Sequence, residues 1–148
     1  FRHIGFIISA FPEAKIIHLK RDARATCWSN YKHYFNSGNG FTFDQEDLAR
    51  FYGLYSELMD FWHELFPNKI YDLSYEKLTE NQKNETKKLL KYCELDWDDN
   101  CLEFHTNDRG VKTASASQVR QKMYQGSSEA WKKYERYLQP LINGLSDF

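Results

Sequence analysis

The sequence predicts a helix-rich α/β fold with a small parallel sheet, its strands near residues 14–20 and 69–74. Three observations lead there. Residues 14–20 (AKIIHLK) and 69–74 (KIYDLS) are short apolar runs with the length and isoleucine content of buried strands. Between them, apolar residues recur at spacings of three and four over more than twenty positions, which is helical periodicity. Two strands joined through helices form a βαβ crossover, and that connection is parallel.

Each element has a local reason. Ile4, Phe6, Ile7, Ile8 and Phe11 suggest a short helix ended by Pro12, because the residue before a proline leaves the helical region. After the first strand, Asp22 can cap a helix over 24–35 that stops near Gly38 and Gly40. Asp44 opens the longest helix, to about Phe66, and Pro67-Asn68 breaks it. Beyond the second strand, 84–93 is a lysine-rich amphipathic helix with Leu89 and Leu90 facing inward, and 97–104 is a short helix. The pattern fades into a polar loop over 105–125, then resumes over 127–138 through Trp131, Tyr134 and Leu138. No internal repeat or linker divides the chain, so 1–148 is expected to be one domain. A two-strand parallel sheet has two open edges. Either the chain belongs to a larger sheet, or helices or a second copy in a homodimer cover them.

Composition narrows the function. The 148 residues are 41% hydrophobic, 17% aromatic and 28% charged, a globular mixture. Twenty basic against 21 acidic residues give a net charge of −1, which argues against nucleic acid as a partner and makes any anion site local. No apolar run approaches the roughly 20 residues of a membrane helix, so no membrane partner is expected. Cys27, Cys93 and Cys101 form no CxxC pair, which fits a reducing, cytoplasmic setting. With three thiols and no clustered histidines, no metal site is expected. The N-terminus, FRHIGFIISAFPEAK, is not a signal peptide and lacks an initiator Met, as in a sequence that begins partway through a larger protein. Asn84-Glu85-Thr86 matches the glycosylation triplet but reads as a polar helix face.

Three segments carry chemistry. In HLKRDARATCWSNY, Arg21 stands at a strand end and Ser29 two turns into the following helix, a place where anions meet free helix N–H groups. Arg supplies a bidentate fork and Ser a directed donor. The same spacing equally fits an Arg21–Asp22 surface pair beside a neutral serine. From Arg109 to Arg136 there are seven basic residues and two acidic ones, in a hydroxyl-rich stretch that suits an oxyanion or, alternatively, a solvated loop and basic helix face. Tyr75 follows the second strand, where an aromatic stacks on a purine or packs in the core. His18, inside an apolar strand, reads as a satisfied core histidine, and His33, His63 and His105 show no obvious acidic partners.

Taken together these segments resemble a family. FPEAKIIH followed by Arg21-Asp22 and, eight positions after Arg21, Ser29 looks like the 3′-phosphate-binding block of sulfotransferases that use 3′-phosphoadenosine-5′-phosphosulfate (PAPS). SYEKL is similar to that family's Tyr-Glu-Asp-Leu segment, whose tyrosine contacts the adenine region. TASASQVRQKMY followed by Trp131 resembles the C-terminal nucleotide loop of tetratricopeptide-associated and tyrosylprotein sulfotransferases. The resemblance runs from about Phe1 to Leu145 and implies a partial P-loop NTPase-like (sulfotransferase) fold. It implies PAPS as co-substrate without a metal, bound through Arg21, Ser29, Tyr75, Ser115, Gln118, Arg120 and Lys122. The family's strand, P-loop and helix for the 5′-phosphosulfate, and its catalytic base, have no counterpart, since Gly38-Asn39-Gly40 lacks the following Lys and Ser/Thr. No catalytic residue is therefore assigned, and the chain is expected to be the C-terminal portion of such a domain, lacking the N-terminal half. Where cytosolic relatives carry Arg-Lys-Gly ahead of the tryptophan, this chain has Tyr124-Gln125-Gly126, with Arg120 and Lys122 as the cations that can substitute. An inactive nucleotide-binding fragment and a protein-interaction fragment are the alternatives.

Overall fold

In the computed structural model, which describes residues 1–107, 110 and 118–148, the chain is a helix-rich α/β unit. Strands β1 (Ile16–Lys20) and β2 (Ile70–Ser74) pair in parallel, with Ile16 opposite Ile70 and His18 opposite Asp72. Both lie within the apolar runs that predicted them. The crossover between them contains α2 (Ala23–Tyr31) and the 21-residue α3 (Gln45–Leu65), and α1 (Ile4–Ala10) precedes β1.

Caps explain the helix starts. Asp22 accepts from the Ala25 N–H at the head of α2, and Asp44 accepts from the N–H groups of Glu46 and Asp47 at the head of α3. The predicted end of α2 at Phe35 is corrected: the helix stops at Tyr31. Beyond it Phe35 lines an aromatic cavity, and Gly38 adopts φ +84, where a Cβ would be strained. A short helix α4 (Tyr75–Glu80), capped by Ser74, begins directly after β2 and was not foreseen. Helix α5 (Gln82–Tyr92) starts two residues before the predicted 84–93. The helix expected over 97–104 is two 3-10 turns, Asp99–Leu102 and Phe104–Thr106, and the helical stretch Ser127–Tyr137 also winds as 3-10. Helix α6 (Gln139–Gly144) follows it.

Two apolar clusters hold these elements. The larger joins α2, α3 and α6 through Cys27, Leu48, Ala49, Tyr52, Leu141 and Leu145. The smaller joins α1, α3 and the sheet through Ile4, Met59 and Ile70. Tyr55 packs against both. Burial also pushes the Cys27 thiol up to about 12, so it behaves as a packed apolar group.

The sheet is covered unevenly. Ile16, His18, Ile70 and Asp72 face α3, and on the other face Tyr71 stacks on Tyr92 of α5 at 5.0 Å. Beside Tyr71 and Leu73, however, Ile17 and Leu19 of β1 are 44% and 54% exposed. The chain's own helices thus cover both faces of β2, whereas β1 is covered on the α3 face and largely exposed on the other. No helix among the described residues is long and apolar enough to cross a membrane.

The contact of α6 with α3 admits no side chain at Gly144, where a Cβ would stand 2.7 Å from the Ala49 Cβ. Neither carbon can rotate away. Gly144→Ala is therefore expected to destabilise the protein by about 1–2 kcal/mol, the overpacking cost exceeding the gain in helix propensity, as read from urea unfolding.

Candidate functional site

The carboxyl ends of β1 and β2 converge on one arginine. Arg21, the residue after β1, donates from Nη2 to the Ser127 carbonyl at 2.7 Å and from Nε to Ser128 Oγ at 3.2 Å. Its guanidinium lies over the Tyr75 ring, 4.8 Å from the centroid. The Tyr75 hydroxyl bonds Ser127 Oγ at 2.8 Å, and Ser128 Oγ donates to Glu76 Oε1 at 2.6 Å. Glu76 also accepts from the Asp22 N–H at 3.1 Å. Asp22 therefore caps α2 and is tied to Glu76, and the surface ion pair with Arg21 is not formed.

A cleft of about 320 Å³ opens above this network. One wall is a face of α2, since Ala25, Trp28, Ser29 and Lys32 stand at the i, i+3, i+4, i+7 positions that share a helix side. The opposite wall is Tyr124, Gln125, Gly126 and Ser127, and Arg21 with Tyr75 closes the end. Gly126, at φ +86, lets the chain reverse into the 3-10 helix and present Ser127 and Ser128 to Arg21. Two cations, two serines and three aromatic residues thus line one concave volume of the size small ligands occupy. Chemically, the guanidinium and hydroxyls offer donors to an oxyanion and the rings offer faces to a planar group.

Burial pushes the Glu76 carboxyl up, but hydrogen bonds from Ser128 and the Asp22 N–H, with the charge of Arg21, outweigh it and hold the group below its ordinary value. Glu76 is thus an anion that fixes the strand ends and Ser128 behind the cleft.

Of the residues singled out from sequence, the structure brings Arg21, Ser29 and Tyr75 to this cleft. Arg120 and Lys122 are exposed and do not line it. The 3-10 turn Gln118–Arg120 packs against Phe104–Thr106, which draws that part of the chain away. Gln118 begins that turn, and Ser115 lies outside the described residues. Sequence reasoning missed Lys32 and Glu76. Lys32 could have been found from its place one turn beyond Ser29 on the same helix face.

Arg21 also borders a larger, mainly apolar cavity of about 490 Å³, lined by Phe1, Phe35, Phe41, Phe51 and Tyr55 among others. Near it a second polar group forms. His18 Nδ1 bonds Asp72 Oδ1 at 2.6 Å, His18 Nε2 bonds the Tyr55 hydroxyl, and His63 Nε2 lies 3.3 Å from the same Asp72 oxygen. His18 is satisfied, as its place in the strand suggested. The expectation that His63 and His105 lack acidic partners is corrected: His63 meets Asp72 because α3 lies across β2, and His105 Nε2 lies 3.6 Å from Glu103 Oε2 within its own turn.

The model of the sulfotransferase family matches residues 1–99, which include Arg21, Ser29, Lys32, Tyr75 and Glu76. The chain belongs to the sulfotransferase family. An uncharacterized protein of Aquifex aeolicus (strain VF5) is 41% identical over 150 residues, covering 99% of this chain. The chain spans about a fifth of that relative's length, 20%. In this sulfotransferase-family chain, the residues that line the cleft come both from the matched segment and from the C-terminal Tyr124–Ser127 stretch beyond it.

The lowered Glu76 carboxyl sets a pH dependence with a definite sign. A group whose folded value lies below its ordinary 4.5 contributes stability above that value and loses it as pH falls through the folded one. Glu76→Gln is expected to lower the urea midpoint at neutral pH, and the gap from wild type should close in acid. A gap unchanged across that range would show that the charge contributes nothing.

Proposed function

We propose that the Arg21–Ser29 cleft binds the 3′-phosphate and adenosine portion of PAPS, and that this chain supplies the nucleotide-holding half of a sulfuryl transferase. The observation that carries this reading is the convergence of Arg21, Ser29 and Tyr75 on one cleft, since the family resemblance assigns the first two to the 3′-phosphate and the third to the adenine region. The phosphate would receive the guanidinium N–H groups, the Ser29 hydroxyl and the Lys32 ammonium. Arg21 is already oriented by Ser127, Ser128 and Tyr75, so little side-chain entropy is lost on binding. Lys32 serves where cytosolic relatives use their Arg-Lys-Gly triplet, and Tyr124 can stack against the base.

In the family reaction an acceptor hydroxyl or amine attacks sulfur in line. The new O–S or N–S bond forms as the bond to the 5′-phosphate oxygen breaks, and adenosine 3′,5′-bisphosphate departs. The contribution of the residues here is positional: a nucleotide anchored at its 3′-phosphate presents its far end in one orientation. No glycine-rich loop followed by Lys and Ser/Thr occurs in these 148 residues, so the clamp on the sulfuryl end is assigned to protein outside them.

Calorimetric titration with adenosine 3′,5′-bisphosphate tests the proposal. Saturable 1:1 binding that weakens with salt is expected. Ser29→Ala should weaken it about tenfold, the value of one hydrogen bond to a charged group, and Arg21→Ala by more. Arg21→Lys, which keeps charge but not the fork, should fall between wild type and Arg21→Ala. Affinity indifferent to all three substitutions would overturn the assignment.

A further inference from the structure

We propose that His18, His63 and Asp72 form a divalent-metal site of the zinc type, separate from the nucleotide cleft. The three residues come from different elements: His18 from the middle of β1, Asp72 from its register partner position on β2, and His63 from the last turn of α3. One ligand atom from each lies within 4.8 Å of the other two. Two imidazole nitrogens and a carboxylate oxygen are a donor set that suits zinc and leaves a fourth position for water.

The distances come near those of a zinc site, and binding would draw the two imidazoles, now within 4.8 Å, toward one ion. Ligands about 2.0–2.1 Å from a tetrahedral zinc stand about 3.3 Å from one another. His63 Nε2 and Asp72 Oδ1 are already 3.3 Å apart. His18 Nδ1 and Asp72 Oδ1, at 2.6 Å, are joined by a hydrogen bond, and an ion replacing that proton would spread them. The Asp72 side chain has room to move, being 49% exposed against 13% for His18.

The surroundings supply what an ion needs. A recess of about 50 Å³ borders the three residues, more than the roughly 10–15 Å³ one water occupies, so an ion and its water fit. Asp60 and Lys20 complete the lining of charged groups, and with Asp72 the formal charge there is −1. Tyr55 accommodates the tautomer a metal requires. It bonds His18 Nε2 and serves either form: the hydroxyl donates while Nδ1 keeps its proton for Asp72, and the oxygen accepts from Nε2–H when a metal takes Nδ1, so the ring stays neutral. An ion here would clamp α3 onto both strands.

Titration of the metal-free protein with Co²⁺, followed by visible ligand-field absorption, and competition with Zn²⁺ test the site. One ion per chain is expected, without a thiolate charge-transfer band, together with a metal-dependent rise in thermal midpoint. Asp72→Asn and His63→Ala, each checked for unchanged far-UV circular dichroism, should weaken binding at least tenfold and abolish the rise. Histidine ring ¹⁵N shifts should report His18 bound through Nδ1 and His63 through Nε2. Absence of saturable binding, equal affinity in both variants, or a thiolate band would overturn the proposal and leave the three residues as a hydrogen-bonded cluster.

Discussion

The guanidinium of Arg21 is the junction on which the functional end of this protein depends. Chain segments more than a hundred residues apart meet there: the tip of β1, the first residue of α4 and the entry to the C-terminal 3-10 helix. The arginine can hold them because its planar fork donates in two directions while its face rests on Tyr75. Glu76 performs the complementary task, accepting from Ser128 and from the Asp22 N–H. Arg21 is thus braced from behind by Ser127 and Ser128, the latter held in turn by the Glu76 carboxylate, which is the condition for presenting a guanidinium in a fixed geometry.

Behind that end, the body of the fold is an aromatic assembly around α3. Tyr55 lies where the two apolar clusters meet and gives its hydroxyl to His18, so packing and polar order are coupled at one residue. Burial pushes the Tyr55 phenol up, and the Asp72 and Asp60 carboxylates push it the same way, keeping it a neutral donor. The exposed Ile17 and Leu19 stand apart from this assembly, on a strand whose second face no described element covers.

Helices with strong caps and long periodicity were legible in the sequence: Asp22 and Asp44 each begin a helix as their chemistry requires. Less legible were elements whose cause is tertiary. Helix α2 stops four residues short of the predicted end, and Phe35 instead lines an aromatic cavity together with α3 residues, a placement that local propensity does not contain. Helix α4 escaped notice because six residues carry too little periodicity to register. In the candidate site, Arg21, Ser29 and Tyr75 were visible because motif spacing marks them. Arg120 and Lys122 looked equivalent to Arg21 in charge, yet their turn packs elsewhere.

By itself the amino-acid sequence determined the two parallel strands, the helical crossover between them and the resemblance to the sulfotransferase family. Those features are short-range, set by apolar spacing, capping chemistry and motif order along the chain. The tertiary structure alone decided that Ser127, Ser128 and Glu76 brace Arg21, that Lys32 joins the cleft, and that His18, His63 and Asp72 meet. Such pairings depend on how helices pack across the sheet, and contact between residues 54 or 106 positions apart leaves no periodic trace in a single sequence.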